Sequence, residues 1–262
     1  MTYQDGSGWL TVDPGSAFNN ATLDVNIYPS ALAAGTYQAA ITVDAGPLVG
    51  SKTLPVTLTV STESTAPVIG SVINAATFQP GPLVAGSLGT IKGSNLAGTH
   101  VAVTFDALTA PLLYTSSTQI NLQVPDELGF MQAAQMIVTV DGQVAAQTVP
   151  LAIVAPGIFM GGVLNQDNTL NSASNPAAAG SVIEILATGL ASARSGAITA
   201  RIQNANVTPD LAGPVPGIPG VQQVKVTIPT DIGTTTAALS VCAIATDPNQ
   251  PVCSPPVTIA VK

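Results

Sequence analysis

Ser87-Leu88-Gly89-Thr90-Ile91-Lys92-Gly93-Ser94-Asn95-Leu96-Ala97 is matched further along by Ser181-Val182-Ile183-Glu184-Ile185-Leu186-Ala187-Thr188-Gly189-Leu190-Ala191. A second pair follows in the same order. Gln119-Ile120-Asn121-Leu122-Gln123-Val124-Pro125-Asp126-Glu127-Leu128-Gly129 parallels Gln223-Val224-Lys225-Val226-Thr227-Ile228-Pro229-Thr230-Asp231-Ile232-Gly233. In each member of this second pair a strand of alternating apolar residues ends at Pro, and an acidic turn with Gly follows. Alternation with period two is the mark of a half-buried strand. Each copy then finishes in an apolar strand, 147–154 and 256–261. Two matched segments in one order indicate an internal duplication, 63–154 and 155–262. Strands recurring about every 8–12 residues with turn signals between them predict β-sandwiches.

Residues 1–62 form a third, shorter unit. Trp9-Leu10-Thr11-Val12 reads as a strand, and Asp13-Pro14-Gly15-Ser16 as a turn. Over 21–28, Leu23, Val25 and Ile27 fall on one face and Thr22, Asp24 and Asn26 on the other. Two more strands are predicted over 36–43 and 53–60. Ser61-Thr62-Glu63-Ser64-Thr65-Ala66-Pro67 is a polar linker between units. About four strands over 1–60 are too few to cover both faces of a sandwich. This unit is therefore expected to be completed by the next unit, by parent-chain segments before Met1, or by strand exchange with another copy through residues 1–60.

The chain has 262 residues, 24 Gly and 21 Pro, which leaves little room for ordinary helices. It is 46% apolar but only 8% charged, against about 25% charged in average proteins. The apolar residues come in short runs, and no uncharged span of about 18 residues escapes interruption by Pro, Gly or polar groups, so no membrane insertion is expected. Net charge is −8, and the six basic residues, Lys52, Lys92, Arg194, Arg201, Lys225 and Lys262, are spread along the sequence. They form no patch for nucleic acid or an anionic membrane surface. Met1 leads into a polar stretch rather than a signal peptide. The chain is thus either cytoplasmic or a fragment of a longer exported protein, and the other features favour the fragment.

Residues Gly8-Trp9-Leu10-Thr11-Val12-Asp13-Pro14, Leu32-Ala33-Ala34-Gly35-Thr36-Tyr37 and Leu54-Pro55-Val56-Thr57-Leu58-Thr59-Val60 resemble the second half of a BACON domain, a bacterial immunoglobulin-like module. The rest resembles the Solibacter-type carboxy-terminal domain of large secreted acidobacterial proteins, related to IPT/TIG immunoglobulin-like folds. Asn74-Ala75-Ala76-Thr77-Phe78, Gly93-Ser94-Asn95-Leu96-Ala97, Ala155-Pro156-Gly157-Ile158-Phe159, Ser174-Asn175-Pro176-Ala177 and Ala187-Thr188-Gly189-Leu190 carry it. These resemblances imply tandem immunoglobulin-like β-sandwiches at the end of a long exported protein, with no enzymatic activity to carry over.

Catalytic chemistry has few candidates. His100 is the only histidine, and no Gly-x-Ser-x-Gly elbow exists for a triad. One histidine and two cysteines make no usual zinc site. Asp126-Glu127, the adjacent acidic pair, reads as a solvated turn rather than a glycosidase pair. Asn165-Gln166-Asp167-Asn168 and Asp247-Pro248-Asn249-Gln250 are oxygen-rich loops that suit either calcium or plain Asx turns. Asn20-Ala21-Thr22 and Asn206-Val207-Thr208 match the glycosylation sequon. Trp9 sits in a core-like strand context, so an aromatic sugar platform is not expected, although a polar, loop-based lectin stays open. Cys242 and Cys253 flank the 247–250 turn. A hairpin about it would set them opposite one another and favour a disulfide, the alternative being two buried thiols. No catalytic residue, cofactor or metal is assigned. The expected role is a non-catalytic extracellular structural or adhesion segment that assembles with itself or other extracellular proteins. The alternative is a carbohydrate- or protein-binding accessory module of a larger secreted enzyme.

Overall fold

The computed structural model describes the whole chain except residues 18–20, 48, 61–64, 130, 191–196, 234 and 247–249. The chain is all-β, built from antiparallel sheets that pack as sandwiches. It divides into two compact units, Met1–Ser64 and Thr65–Lys262. Most of the polar linker predicted at 61–67 lies outside the described residues.

Among the described residues the smaller unit holds five strands: β1 (Thr2–Tyr3), β2 (Leu10–Asp13), β3 (Asp24–Ile27), β4 (Gly35–Asp44) and β5 (Ser51–Val60). They make one sheet in the order β1-β4-β5 and a second of β2-β3. The strand beyond the four expected, β1, is too short for any periodicity to show. It is pinned by pairing with Ala39 and Ala40, and by the Tyr3 hydroxyl donating to the Leu10 carbonyl at 2.6 Å. Trp9, Leu10, Ala39 and Ile41 form the core, and the Trp9 ring meets Tyr3 and Tyr37 edge-on at centroid distances of 5.8 and 6.5 Å. Coverage stops at β2. Val25 and Ile27 of β3 lie opposite Val12 and Leu10, hence on the same sheet face, yet are 47% and 43% exposed.

The larger unit contains two sandwiches. The first comprises β6 (Val68–Asn74), β7 (Leu88–Ser94), β8 (Val101–Phe105), β9 (Leu108–Thr109), β10 (Leu112–Ser116), β11 (Gln119–Gln123), β12 (Ala133–Val140) and β13 (Gln143–Pro150). The second comprises β14 (Gly157–Leu164), β15 (Val182–Thr188), β16 (Ile198–Ile202), β17 (Ala205–Val207), β18 (Leu211–Pro214), β19 (Gln222–Thr227), β20 (Thr236–Ala243), β21 (Val252–Cys253) and β22 (Val257–Ala260). Sheet order in the first is β10-β11-β7-β6 over β13-β12-β8-β9. In the second it is β18-β19-β15-β14 over β17-β16-β20, with β21 and β22 both on β20.

The duplicated segments pair with each other in one register. Leu88 faces Gln123 and Gly89 faces Leu122, while the matched Val182 faces Thr227 and Ile183 faces Val226. The opposite sheets agree as well: Met136 lies against Phe105 and Leu239 against Ile202. Alternation fixes this. Ala134, Met136 and Val138 point inward from β12, and Ala237, Leu239 and Val241 from β20, all at most 3% exposed. A one-residue slip would turn every one of them to solvent. Each fully buried Val, Leu or Ile contributes about 1.5–3 kcal/mol. The two cores are separate clusters, one within residues 83–151 and the other within 154–261.

Candidate functional site

The described residues among those singled out from sequence sit on different elements. His100 is exposed just before β8, and its backbone N–H, like that of Thr99, donates to the Asp141 carboxylate at 2.8 and 3.1 Å. Those two N–H groups hold the Asp141 carboxyl below its ordinary value of 3.8. In the 165–168 loop, Asp167 Oδ1 accepts from the Thr169 hydroxyl and from its backbone N–H, and these bonds lower its pKa likewise. The neighbouring amides bond each other. Asn171 Nδ2 donates to Asn165 Oδ1, Asn165 Nδ2 to the Asn175 carbonyl, and Asn171 clips both backbone groups of Ala260. The loop's composition is thus used in an Asx knot that ties it to β22. In the 247–250 loop, residues 247–249 lie outside the described residues, as do Asn20 and Arg194. Asn206 is exposed on β17. Trp9 is buried in the small unit's core.

Cys242 and Cys253 form a disulfide, and they are direct partners across β20 and β21. Cys242 is buried and Cys253 exposed. The bond closes the base of the 243–252 excursion, which stands where the first sandwich has the tight Asp141-Gly142 turn.

The place where side chains from distant parts of the sequence do converge is the junction between the two sandwiches of the larger unit. Thr188, at the end of β15 and fully buried, accepts from the Leu88 N–H at 2.9 Å and donates its hydroxyl proton to the Gly220 carbonyl at 2.7 Å. One hydroxyl therefore links β7 of the first sandwich to the β18–β19 loop of the second. Asn74 Nδ2 adds a bond to the Ala155 carbonyl at 3.2 Å, and Asn74 Oδ1 caps the 75–78 turn through the Ala76 and Thr77 N–H groups. Close approach requires glycine here. Gly220 has φ +77°, and a Cβ on it would fall on the Leu88 side chain. Gly189 has φ +76°, and a Cβ would strike the Ala155 carbonyl.

Beside this seam lies a cleft of about 430 Å³. The first sandwich supplies Gly86, Gln123 and Asp126; the second supplies Gly189, Pro214, Pro219, Gly220 and Gln222. Gln123 stands at the end of β11 and donates to the Gly86 carbonyl at 3.3 Å. Gln222 stands at the start of β19 and accepts from the Leu190 N–H at 2.9 Å. Asp126 opens the single turn of 3-10 helix over Asp126–Leu128, with its carboxylate lying over Gly86, where a Cβ would collide with it. Of the acidic pair noted in the sequence, Asp126 thus reaches a concave surface. The sequence assigned no functional role to Thr188, Gly220, Gln123 or Gln222, because polar strand ends and glycine turns are common to every sandwich. Only the doubled Thr188-Gly189-Leu190 and Ser94-Asn95-Leu96 corner marked the region.

No family model matches the chain and no curated protein matches it, so the BACON and Solibacter-type assignments are not established. Three solved structures show partial likeness to the chain. One is the Bacteroides ovatus mixed-linkage glucan utilization locus protein SGBP-B in complex with a mixed-linkage heptasaccharide (15% identity, 97% of this chain and 60% of that one, TM-score 0.38). Another is the gamma-CGTase from alkalophilic Bacillus clarkii (14% identity, 86% and 36%, TM-score 0.30). A third is a tandem pair of titin Ig domains (12% identity, 75% and 96%, TM-score 0.25). The chain spans less than two-thirds of the length of the first two.

Proposed function

We propose that the chain is a non-catalytic, extracellular structural or adhesion segment of tandem immunoglobulin-like modules, 1–62, 63–154 and 155–262, within a larger exported protein. The observation that carries this reading is the buried Thr188 relay. Sandwiches strung on free linkers tumble independently. Here the connection from β13 to β14 is short, and the abutting ends are hydrogen-bonded and close-packed over glycine, which suits a part that must hold spacing under load. The disulfide fits an oxidising compartment. No helix among the described residues is long and apolar enough to cross a membrane. Residual dipolar couplings measured on the full chain test the rigidity: residues 68–150 and 157–260 should share one alignment tensor, and two unrelated tensors would remove the basis of the proposal. Assays on polysaccharide and ester substrates should show no turnover that a point substitution abolishes.

Self-association through residues 1–60 is part of this reading. Val25, Ile27 and Tyr28 leave an apolar strip exposed on and beside β3, and such a strip next to an open strand edge favours contact with another copy. Sedimentation of the full chain should show concentration-dependent assembly that the Val25→Thr, Ile27→Thr double variant abolishes.

A second reading, an accessory module that binds carbohydrate or protein, is favoured by one specific feature, the polar cleft beside the Thr188 seam.

A further inference from the structure

We infer that the junction cleft is a binding site for a neutral, polyhydroxylated ligand, a short stretch of carbohydrate chain, gripped by Gln123 and Asp126 of the first sandwich against the Pro214, Pro219 and Gly220 wall of the second. The inference rests on the second reading above and gives it a place and a chemistry.

The walls exclude the main alternatives. A peptide adding as a strand needs free backbone donors and acceptors, and the cleft has few to offer. The Gly86 and Ser87 N–H groups are committed to the carbonyls of Val124 and Val84, and the Val221 N–H to Ile218. The Gly86 and Gly220 carbonyls accept from Gln123 and Thr188. Pro214 and Pro219 have no N–H at all. Recognition therefore falls to side chains. Asp126 is the one charged residue among the described residues of the lining, and the chain carries a net charge of −8, so an anionic ligand is disfavoured. No aromatic ring is among the described residues of the lining, and these offer a stacked nucleobase no platform.

What is left matches sugar hydroxyls. None of the described residues donates to the Asp126 carboxylate, which leaves both oxygens for hydroxyl donors. Gln123, held by its bond to Gly86, keeps its amide oxygen as an acceptor and a second amide hydrogen as a donor. Neighbouring hydroxyls on a sugar ring both donate and accept, and Pro214 and Pro219 give apolar surface for its C–H face. The grip is preorganised because Gln123 stands on a strand and the floor is backbone at Gly86, Gly189 and Gly220, all at positive φ. The volume of about 430 Å³ suits a small ligand.

The full chain, ¹⁵N-labelled, is titrated at millimolar concentration with cellohexaose, maltohexaose, laminarihexaose and xylohexaose, and in parallel with oligogalacturonate and an extended peptide. At least one neutral oligosaccharide should shift the amide signals of Gly86, Gln123, Asp126, Gly189 and Gly220. Asp126→Asn and Gln123→Ala should each weaken that binding about tenfold with the rest of the spectrum unchanged. Asp126 makes no side-chain bond within the described fold, so its variant stays folded. Binding that shifts signals elsewhere, or that survives both variants, overturns the site and leaves the accessory-module reading standing. Binding of oligogalacturonate or peptide alone overturns the ligand class. No binding by any probe overturns the site and removes that reading's basis as well.

Discussion

The two sandwiches of the larger unit share strand order and register and differ in what they do with their ends. In the first, Asn74 reaches out to the Ala155 carbonyl of its neighbour. In the second, Asn165 holds the corresponding place after the strand and turns inward to the Asn171 and Asn175 knot. In the first, Ser94 closes its corner exposed to solvent; in the second, the matched Thr188 is buried and carries the junction. The inward-facing alternation, on which both cores depend, is common to the two sandwiches, whereas the polar ends differ and one set of them builds the interface.

Thr188 gives the sharpest way to break that comparison. Thr188→Val keeps shape but leaves the Leu88 N–H and the Gly220 carbonyl without partners in a buried seam. Each such group costs about 1–3 kcal/mol, so a loss of about 2–4 kcal/mol is expected. Ser94→Ala, at the equivalent exposed corner, should change stability by less than about 0.5 kcal/mol. Urea unfolding of the full chain measures both. Equal effects would show that the junction is no more than contact.

The disulfide is the next difference. It stands on the second sandwich's β20, at a place where the first makes a tight Asp141-Gly142 turn with both residues at positive φ. Closing a loop of 11 residues' separation is worth about 2–3 kcal/mol. Reduction with dithiothreitol should lower stability by that amount. Unfolding followed by signals in 157–260 should shift further than unfolding followed by signals in 68–150. A shift confined to the first sandwich would contradict the assignment of the excursion as a stapled replacement for the turn.

Much of this was legible before any coordinates. The doubled segments 87–97 and 119–129 predicted strands, and the Cys242–Cys253 bond followed from a hairpin. The reason is local: period-two alternation and turn residues report on the few neighbours that decide strand formation. What was not legible is tertiary. β1 and β9 have two residues each, too short to carry a period. Val25 and Ile27 alternate correctly but are exposed, because alternation names a face without saying what covers it. Asp126 reads as a solvated turn residue and lies on a cleft, because the opposite wall comes from Pro214, Pro219 and Gly220, which the sequence places some ninety residues away.

Acid tests the corner ties of each sandwich. Asp141 and Asp167 are both held below 3.8 in the folded chain by hydrogen bonds. A depressed folded pKa gives stability that is present above 3.8 and is lost as pH falls through the lower folded value. Both carboxylates are solvent-exposed, so the effect is modest. Asp141→Asn and Asp167→Asn should each flatten the decline in melting temperature below pH 3.8 and leave its shape at neutral pH unchanged. A variant that steepened the decline would reverse the sign of the tie.

The smallest expected effect bears on the cross-strand pair that differs between copies. Thr90 faces Asn121 in the first sandwich, with the hydroxyl donating to Asn121 Oδ1 at 3.0 Å. In the second, the matched Glu184 faces Lys225, with Nζ 3.2 Å from the carboxylate. The ion pair looks stronger, but the Lys225 and Glu184 side chains are 37% and 17% exposed, and solvent screens such pairs to about 0–1 kcal/mol. A neutral cross-strand hydrogen bond contributes about 0.2–1 kcal/mol. Grafting the first pair onto the second, as Glu184→Thr with Lys225→Asn, should therefore change stability by less than about 1 kcal/mol. Thr also favours strands, which offsets part of any loss. The single variant Lys225→Ala should cost more than the graft, because it leaves Glu184 half-covered without its partner. Raising salt should weaken the native pair and leave the grafted one untouched. If the graft cost several kcal/mol and the loss did not respond to salt, register in the second sandwich would depend on this pair, and the view that apolar alternation alone holds the two copies in register would fail.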